Sequence, residues 1–174
     1  MKNKIVLLLL ATLFSFASHA QRNMQKGLFV ELTAGYSNLD DEHFTVISPS
    51  IGYQFNKHWL AGMRIGFETR NHAFTIYTPY VRYNYLSMSK WELFAEAQTN
   101  IATREIEGGQ GGYGEIGIGL GASYTLTRNI KVIGRYLFIG YSSRDARKQV
   151  YAGNGDFLLD ANITRLQLGA QVRF

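Results

Sequence analysis

The sequence predicts an all-β protein: an eight-stranded antiparallel, up-and-down barrel that crosses a membrane with its strands. Three observations carry this expectation. Beyond the first twenty residues the chain falls into eight segments in which apolar and polar residues alternate with period two, as in a strand with two unlike environments. Within those segments the charged residues share one parity, and the other parity carries the aliphatic and aromatic ones. The connections alternate between short and long, as they do where the two ends of a barrel face different compartments.

Taken in order, the first segment, GLFVELTAGY, places Leu28, Val30, Leu32, Ala34 and Tyr36 on one face. The second shows Ile47, Pro49, Ile51, Tyr53 and Phe55 against Ser48, Ser50, Gly52 and Gln54. After an NKH turn come Trp59, Ala61, Met63, Ile65 and Phe67, opposite Arg64 and Glu68. The fourth sets Tyr77, Pro79, Val81, Tyr83 and Tyr85 against Thr78, Arg82 and Asn84. The fifth carries Trp91, Leu93, Ala95, Ala97 and Ile101, against Glu92, Glu96, Gln98 and Asn100. In the sixth, Ile116, Ile118, Leu120, Ala122, Tyr124 and Leu126 face away from Glu115, Gly117, Gly119, Gly121 and Ser123. The seventh offers Ile130, Val132, Tyr136 and Phe138 against Lys131 and Arg135. The eighth is LQLGAQVRF, with Leu166, Leu168, Ala170, Val172 and Phe174 opposite Arg165, Gln167, Gly169, Gln171 and Arg173. No helix and no domain linker is expected after residue 20.

The first residues stand apart from this pattern. Lys2 and Lys4 precede the apolar run from Ile5 to Ala17, and Ser18-His19-Ala20 follows as a small-x-small site. That is a secretory signal peptide over residues 1–20, with a mature barrel over 21–174; a membrane-spanning helix needs about 20 predominantly apolar residues. The chain has no cysteine, so export implies no disulfide framework and no lipoprotein-type anchor. Without the two leader lysines, 16 Lys+Arg stand against 13 Asp+Glu, a net +3. That is too mild and too scattered for nucleic acid, which selects clustered basic charge. Mean hydropathy of −0.12 would by itself suggest a soluble protein.

The aromatic residues decide which face meets which environment. In a soluble lipocalin-like barrel the apolar face would point inward. Here Phe55, Trp59, Tyr83, Tyr85, Trp91, Tyr124 and Phe174 gather at strand ends that meet short turns or the last residue, and Tyr36, Phe67 and Phe138 sit toward the opposite ends. Two aromatic rings bounding an aliphatic band mark the two interfaces of a transmembrane barrel, and only a closed barrel satisfies strand backbone inside lipid. The turns NKH, LSMSK and TRN then belong on the periplasmic side. SNLDDEH, RNHA, REIEGGQGG and SSRDARKQVYAGNGDFLLD belong outside. The polar parity becomes a lumen that side chains fill at eight strands. Its charge network is Glu31, Arg64, Glu68, Arg82, Glu92, Glu96, Glu115, Lys131, Arg135, Arg165 and Arg173, five carboxylates and six cations able to pair across the interior. Gly117, Gly119 and Gly121 would leave room for long side chains from other strands. Pro49 and Pro79 fall mid-strand, where each removes a ladder donor, so a bulge or a missing bond is expected at each.

These features resemble the small outer-membrane barrels of Gram-negative bacteria, the porin-like "outer membrane protein beta-barrel domain" family. SPSIGYQFNKHWLAGMRIGF and TPYVRYNY are similar to that family's second to fourth strands as found in Bacteroidetes. The resemblance covers the whole mature chain. It implies an integral outer-membrane protein, exported through the periplasm, in contact with outer-membrane lipid and lipopolysaccharide and monomeric. It also implies an assembly signal read by the outer-membrane assembly machinery, here Gln167, Gly169, Val172 and Phe174.

The remaining motifs argue against catalysis. Gly112, Gly114 and Gly117 match G-x-G-x-x-G, but a dinucleotide site needs a helix after the loop, and this stretch runs into a strand. A lipid A-modifying hydrolase needs a base beside a nucleophile. His43, His58 and His72 read instead as loop and turn histidines. No residues have metal-site spacing, Asp40, Asp41 and Glu42 reading as a solvated acidic loop, so neither metal nor cofactor is expected. Arg144, Arg147 and Lys148 in the last loop form a candidate contact for lipopolysaccharide phosphates. The expected function is a structural or surface-binding outer-membrane barrel with a filled lumen. A lipid A-modifying enzyme or a narrow porin-like channel is the alternative.

Overall fold

The computed structural model describes residues 26–39, 42–69, 74–106, 109–143, 157–161 and 163–174. The expected signal peptide, most of the last long loop and His72 lie outside them. The strands are β1 (Gly27–Leu39), β2 (Glu42–Gln54), β3 (Trp59–Glu68), β4 (Thr75–Met88), β5 (Trp91–Ile106), β6 (Gly109–Thr125), β7 (Ile130–Ser142), β8 (Phe157–Asp160) and β9 (Gln167–Arg173). Each strand from β1 to β7 pairs antiparallel with its successor. β9 then pairs with both β7 and β1, which closes the sheet on itself.

The barrel has eight staves, because β8 and β9 are two sections of one. Phe138 pairs with Asp160 and Arg135 with Gln167, so seven steps of the last stave lie beside three steps of β7. The surplus is taken up by a single 3-10 turn, Ile163–Arg165. Two expectations are corrected here. Arg165 does not lie on the terminal strand, and FLLD, expected as loop, is paired strand.

The alternation of burial is inverted relative to a water-soluble barrel. Glu96 is 1% exposed and Arg82 2%, whereas Ile51 and Ile116 are each 59% exposed. Polar side chains cannot be hidden this way by the hydrophobic effect alone. They are hidden because the closed sheet surrounds them, and the apolar side chains stand outside it. This rules out the arrangement with the apolar face inward.

Parity fails in one place. In β7 the register slips between Leu120/Gly121 and their partners, Leu137 and Arg135, which leaves Tyr136 as a bulge. Beyond the bulge the faces exchange: Phe138 is 2% exposed inside the lumen, and Ile139 and Tyr141 are the outward residues. The expectation that Phe138 lies in the outer aromatic ring is therefore wrong, since an inserted residue flips every later side chain. A second slip leaves Tyr85 as a bulge between Asn84 and Leu86 in β4.

The prolines behave as missing donors and not as bulges. Pairing of β2 with β3 skips Ser48–Pro49 opposite Ile65–Gly66, and pairing of β4 with β5 skips Thr78–Pro79 opposite Thr99–Asn100. The register is the same on both sides of each gap. Pro49 remains opposite Leu32 and Pro79 opposite Met63, so each ring interrupts only one of its two ladders.

Strands reach further than expected at the long-loop end. β5 has 16 residues and β6 has 17, and they include most of REIEGGQGG. About 9–11 tilted residues cross the hydrocarbon of a bilayer, so these staves continue beyond it. Outward aromatic residues ring the short-turn end, where Trp59 and Tyr83 lie 4.7 Å apart, Trp91 and Tyr124 4.9 Å, and Tyr53 and Phe55 5.3 Å between ring centres. Tyr36, Phe67, Tyr77, Tyr141 and Phe157 are exposed toward the other end.

Candidate functional site

The interior is the candidate site, and its centre is an ion cluster drawn from five staves. Glu96 on β5 accepts from Arg82 Nε on β4 (2.9 Å), from Arg64 Nη2 on β3, and from Arg135 Nε on β7 at 3.3 Å. Glu31 on β1 accepts from Arg82 Nη2 (3.1 Å) and from Arg135 Nη2. The sheet positions these groups directly. Arg82 and Glu96 are cross-strand partners, and Glu31 is the partner of Gln171, whose Oε1 receives Arg82 Nη1 at 3.5 Å. Charges buried like this persist only when each ion has partners on several sides.

Below the cluster the lumen is filled with rings and aliphatic side chains. Phe29, Leu60 and Tyr80 form one cluster, and the Arg82 guanidinium stands 4.3 Å from the Phe94 ring centre. Glycines opposite make the space. A Cβ at Gly121 would lie 2.4 Å from Phe94 Cζ, and one at Gly52 would lie 2.5 Å from Phe29 Cζ. Gly117 does the same for Phe138, at 2.8 Å. Nearest the short turns, Lys131 pairs with Glu92, and Arg173 Nη1 donates to Gln54 Oε1 (2.9 Å).

Toward the long-loop end a second cluster closes over the lumen. Arg165 grips Glu115 with both terminal nitrogens at 3.0 Å, and its Nε donates to Asp160. Glu115 also accepts from Asn100 Nδ2 (2.9 Å) and Ser142 Oγ (3.1 Å). The Phe138 ring lies under the guanidinium, 4.8 Å away. Glu68 lines the same region and accepts from the Phe74 backbone N–H at 3.1 Å. Between the two clusters is a chamber of about 90 Å³.

Every member of the expected charge network has its side chain on the lumen side or at its rim. The expectation missed Asp160, which is fully buried, because FLLD read as loop. It also missed the lumen aromatics Phe29, Phe94 and Phe138. For Phe29 and Phe94 a large apolar residue on the polar parity, with glycine opposite on the neighbouring strand, was the available signal; Phe138 stood on the apolar parity and turns inward only through the bulge at Tyr136. In the expected assembly signal, Gln167 and Gly169 face the lumen and Val172 faces outward; the Phe174 backbone N–H donates to Leu28 O at 2.9 Å. Gly112 to Gly117 lies within β6, with no helix after it. His43 is hydrogen-bonded to Tyr36 Oη, and His58 Nδ1 donates to Asn84 O at 2.9 Å. Among the described residues no group of three His, Cys, Asp or Glu side chains has metal-site geometry. Arg144, Arg147, Lys148, Asp40 and Asp41 lie outside the described residues.

A closed eight-stave antiparallel barrel with charges inside and an apolar belt outside is the fold of the small outer-membrane β-barrels. Solved structures similar to this chain include the N-terminal β-barrel domain of Pseudomonas aeruginosa OprF, with a TM-score of 0.61 at 15% identity over 86% of this chain and 98% of that one. The de novo designed protein TMB2.3 matches with a TM-score of 0.53 at 15% identity, over 88% and 98% of the two chains. Neisserial surface protein A (NspA) gives 0.47 at 16% identity, over 87% and 98%. Identities of this size establish the fold and nothing finer. No protein-family model and no curated protein sequence matches the chain, so the likeness to the Bacteroidetes-type family rests on its motifs alone.

Proposed function

We propose that this chain is an integral outer-membrane protein whose barrel is a plugged structural or surface-binding element, with no open channel and no catalytic activity. The observation that carries the reading is the inversion of burial, with Glu31, Arg82 and Glu96 sealed inside and Leu32, Ile51, Met63, Val81 and Ile116 standing outside. An apolar belt of that extent on a monomer in water would be an aggregation site; in hydrocarbon it is the solvent-matched face. The plug follows from width. At eight staves the interior holds side chains, and here Phe29, Leu60, Tyr80 and Phe94 with the five-ion cluster occupy it. Short turns face the periplasm and the long connections face outward, where lipid and lipopolysaccharide are the partners, Arg144, Arg147 and Lys148 included.

Reconstitution into planar bilayers tests the plug. Purified protein should give no steady conductance, because a hydrated ion would have to displace Arg82 from both Glu31 and Glu96. A stable, large conductance at low voltage would overturn the plugged reading while leaving the barrel intact.

A further inference from the structure

The rim at the short-turn end carries cations without carboxylates. The connections between β2 and β3, β4 and β5, and β6 and β7 hold Lys57, Lys90 and Arg128, and Lys26 stands just before β1 at the same end. All four are exposed, and among the described residues none pairs with a carboxylate. None of the chain's 13 Asp and Glu residues falls on these connections. Glu92, at this end of the lumen, is held by Lys131 and Ser123.

The turns that present these charges are fastened in place. Lys57 O accepts from Asn84 Nδ2 (3.1 Å), Lys90 O from the Thr125 N–H (2.8 Å) and Arg128 O from Arg173 Nη2 (3.3 Å). Asn56 Oδ1 also accepts from the backbone N–H groups of His58 and Trp59. The aromatic ring sets their height, because outward Trp and Tyr side chains settle where hydrocarbon meets headgroups. Lys90 directly precedes Trp91 and its Nζ stands 6.0 Å from the Tyr124 ring centre; Lys57 is two residues before Trp59. One or two residues beyond that border, at about 3.3 Å each, lies within the headgroup layer.

Spacing discriminates between partners. One cation falls to every second stave, so the four stand about 10 Å apart around the whole rim. A soluble acidic protein would meet one side of such a ring, whereas lipids surround a barrel and meet all of it. We infer that the short-turn rim is a binding surface for anionic phospholipid, with Lys26, Lys57, Lys90 and Arg128 each drawing a negatively charged headgroup of the periplasmic leaflet against the barrel. Zwitterionic lipid, whose own ammonium offsets its phosphate, is held less well.

The surface rests on the membrane reading proposed above, and one experiment separates the two. Spin-labelled phosphatidylglycerol and spin-labelled phosphatidylcholine are added, one at a time as tracers, to phosphatidylcholine vesicles containing the full-length protein. Electron spin resonance then gives the fraction of each label immobilised by the barrel. A cation near the surface is worth about fivefold for an anionic lipid, which averaged over the surrounding lipids should favour phosphatidylglycerol at least about twofold at low salt. In 1 M NaCl, where screening acts within about 3 Å, the preference should shrink toward unity. The variant carrying Lys26→Gln, Lys57→Gln, Lys90→Gln and Arg128→Gln should immobilise as much phosphatidylcholine as the parent and lose the preference. A variant carrying Arg144→Gln, Arg147→Gln and Lys148→Gln should keep it. Immobilised lipid with no preference in the parent protein would overturn the anionic surface alone and leave the rim to a soluble acidic partner. A preference that survives the four-residue variant, or vanishes in the three-residue one, would overturn its placement at the short turns. No immobilised lipid of either kind would overturn the membrane reading and this surface with it.

Discussion

Glu96 is the residue on which the interior turns, because three guanidiniums from three other staves end on its two oxygens. Removing its charge leaves Arg64, Arg82 and Arg135 facing one another with only Glu31 between them. Breaking a buried ion pair by taking away one partner costs about 3–5 kcal/mol. Glu96→Gln should therefore lower the unfolding free energy by about that amount, measured by urea titration of tryptophan fluorescence in micelles. Glu92→Gln removes the partner of Lys131 near the rim, where both side chains keep contact with solvent, and should cost only about 0–1 kcal/mol. Equal losses would mean that the central cluster is not sealed. At the other end of the chain, Phe174 lies opposite in parity to Arg173, whose guanidinium turns inward to Gln54 and Arg128 O. Burying a Phe is worth about 1.5–3 kcal/mol, so Phe174→Ala should weaken the finished barrel modestly but reduce the amount that reaches the membrane, and Arg173→Ala should be milder on both counts. Membrane-fraction yield with gel mobility separates the two effects; equal loss from both variants would tell against the parity of β9.

At the scale of the element, period-two alternation made six staves readable from residues alone, since in a one-residue-thick wall the face is set by parity. It stopped being sufficient in β7. The bulge at Tyr136 carries no glycine or proline to announce it, and its effect is to bring Phe138 under Arg165. The broken eighth stave was hidden for a related reason. Phe157–Asp160 is four residues long and gains its strand character only from lying against β7, a long-range contact with no local signature. Ten of the eleven lumen charges were legible because charge on one parity is a strong pattern; Arg165 reaches the lumen from the 3-10 turn and not by strand parity, and Asp160 was missed because it stands in so short a segment. The β4–β5 turn shows the opposite case, where a local rule is broken. Ser89, the first of its two turn residues, sits at φ 52°, a left-handed conformation that costs a residue with a side chain about 1–2 kcal/mol. Ser89→Gly should thus stabilise the barrel, by about 1 kcal/mol in the same urea titration. A destabilised variant would show that the serine side chain supplies something the turn requires.

For the whole molecule, one claim organises the rest: the sheet is closed, its charged face looks into a filled lumen, and its apolar face looks at lipid. The two ion clusters and the ring-over-glycine packing both depend on that assignment of faces. The chain has no cysteine, so each single-cysteine variant gives a single spin label. The most direct measurement places labels one at a time at Ala97, Gln98, Thr99, Asn100 and Ile101 on β5, in protein reconstituted into bilayers, and records their collision rates with dissolved oxygen and with a water-soluble nickel complex. The account predicts period-two alternation. Oxygen, which concentrates in hydrocarbon, should reach labels at 97, 99 and 101 readily, and neither reagent should reach 98 and 100 well. Alternation of the opposite phase, or high nickel accessibility at 97 and 101, would contradict it and return the apolar face to water or to the interior.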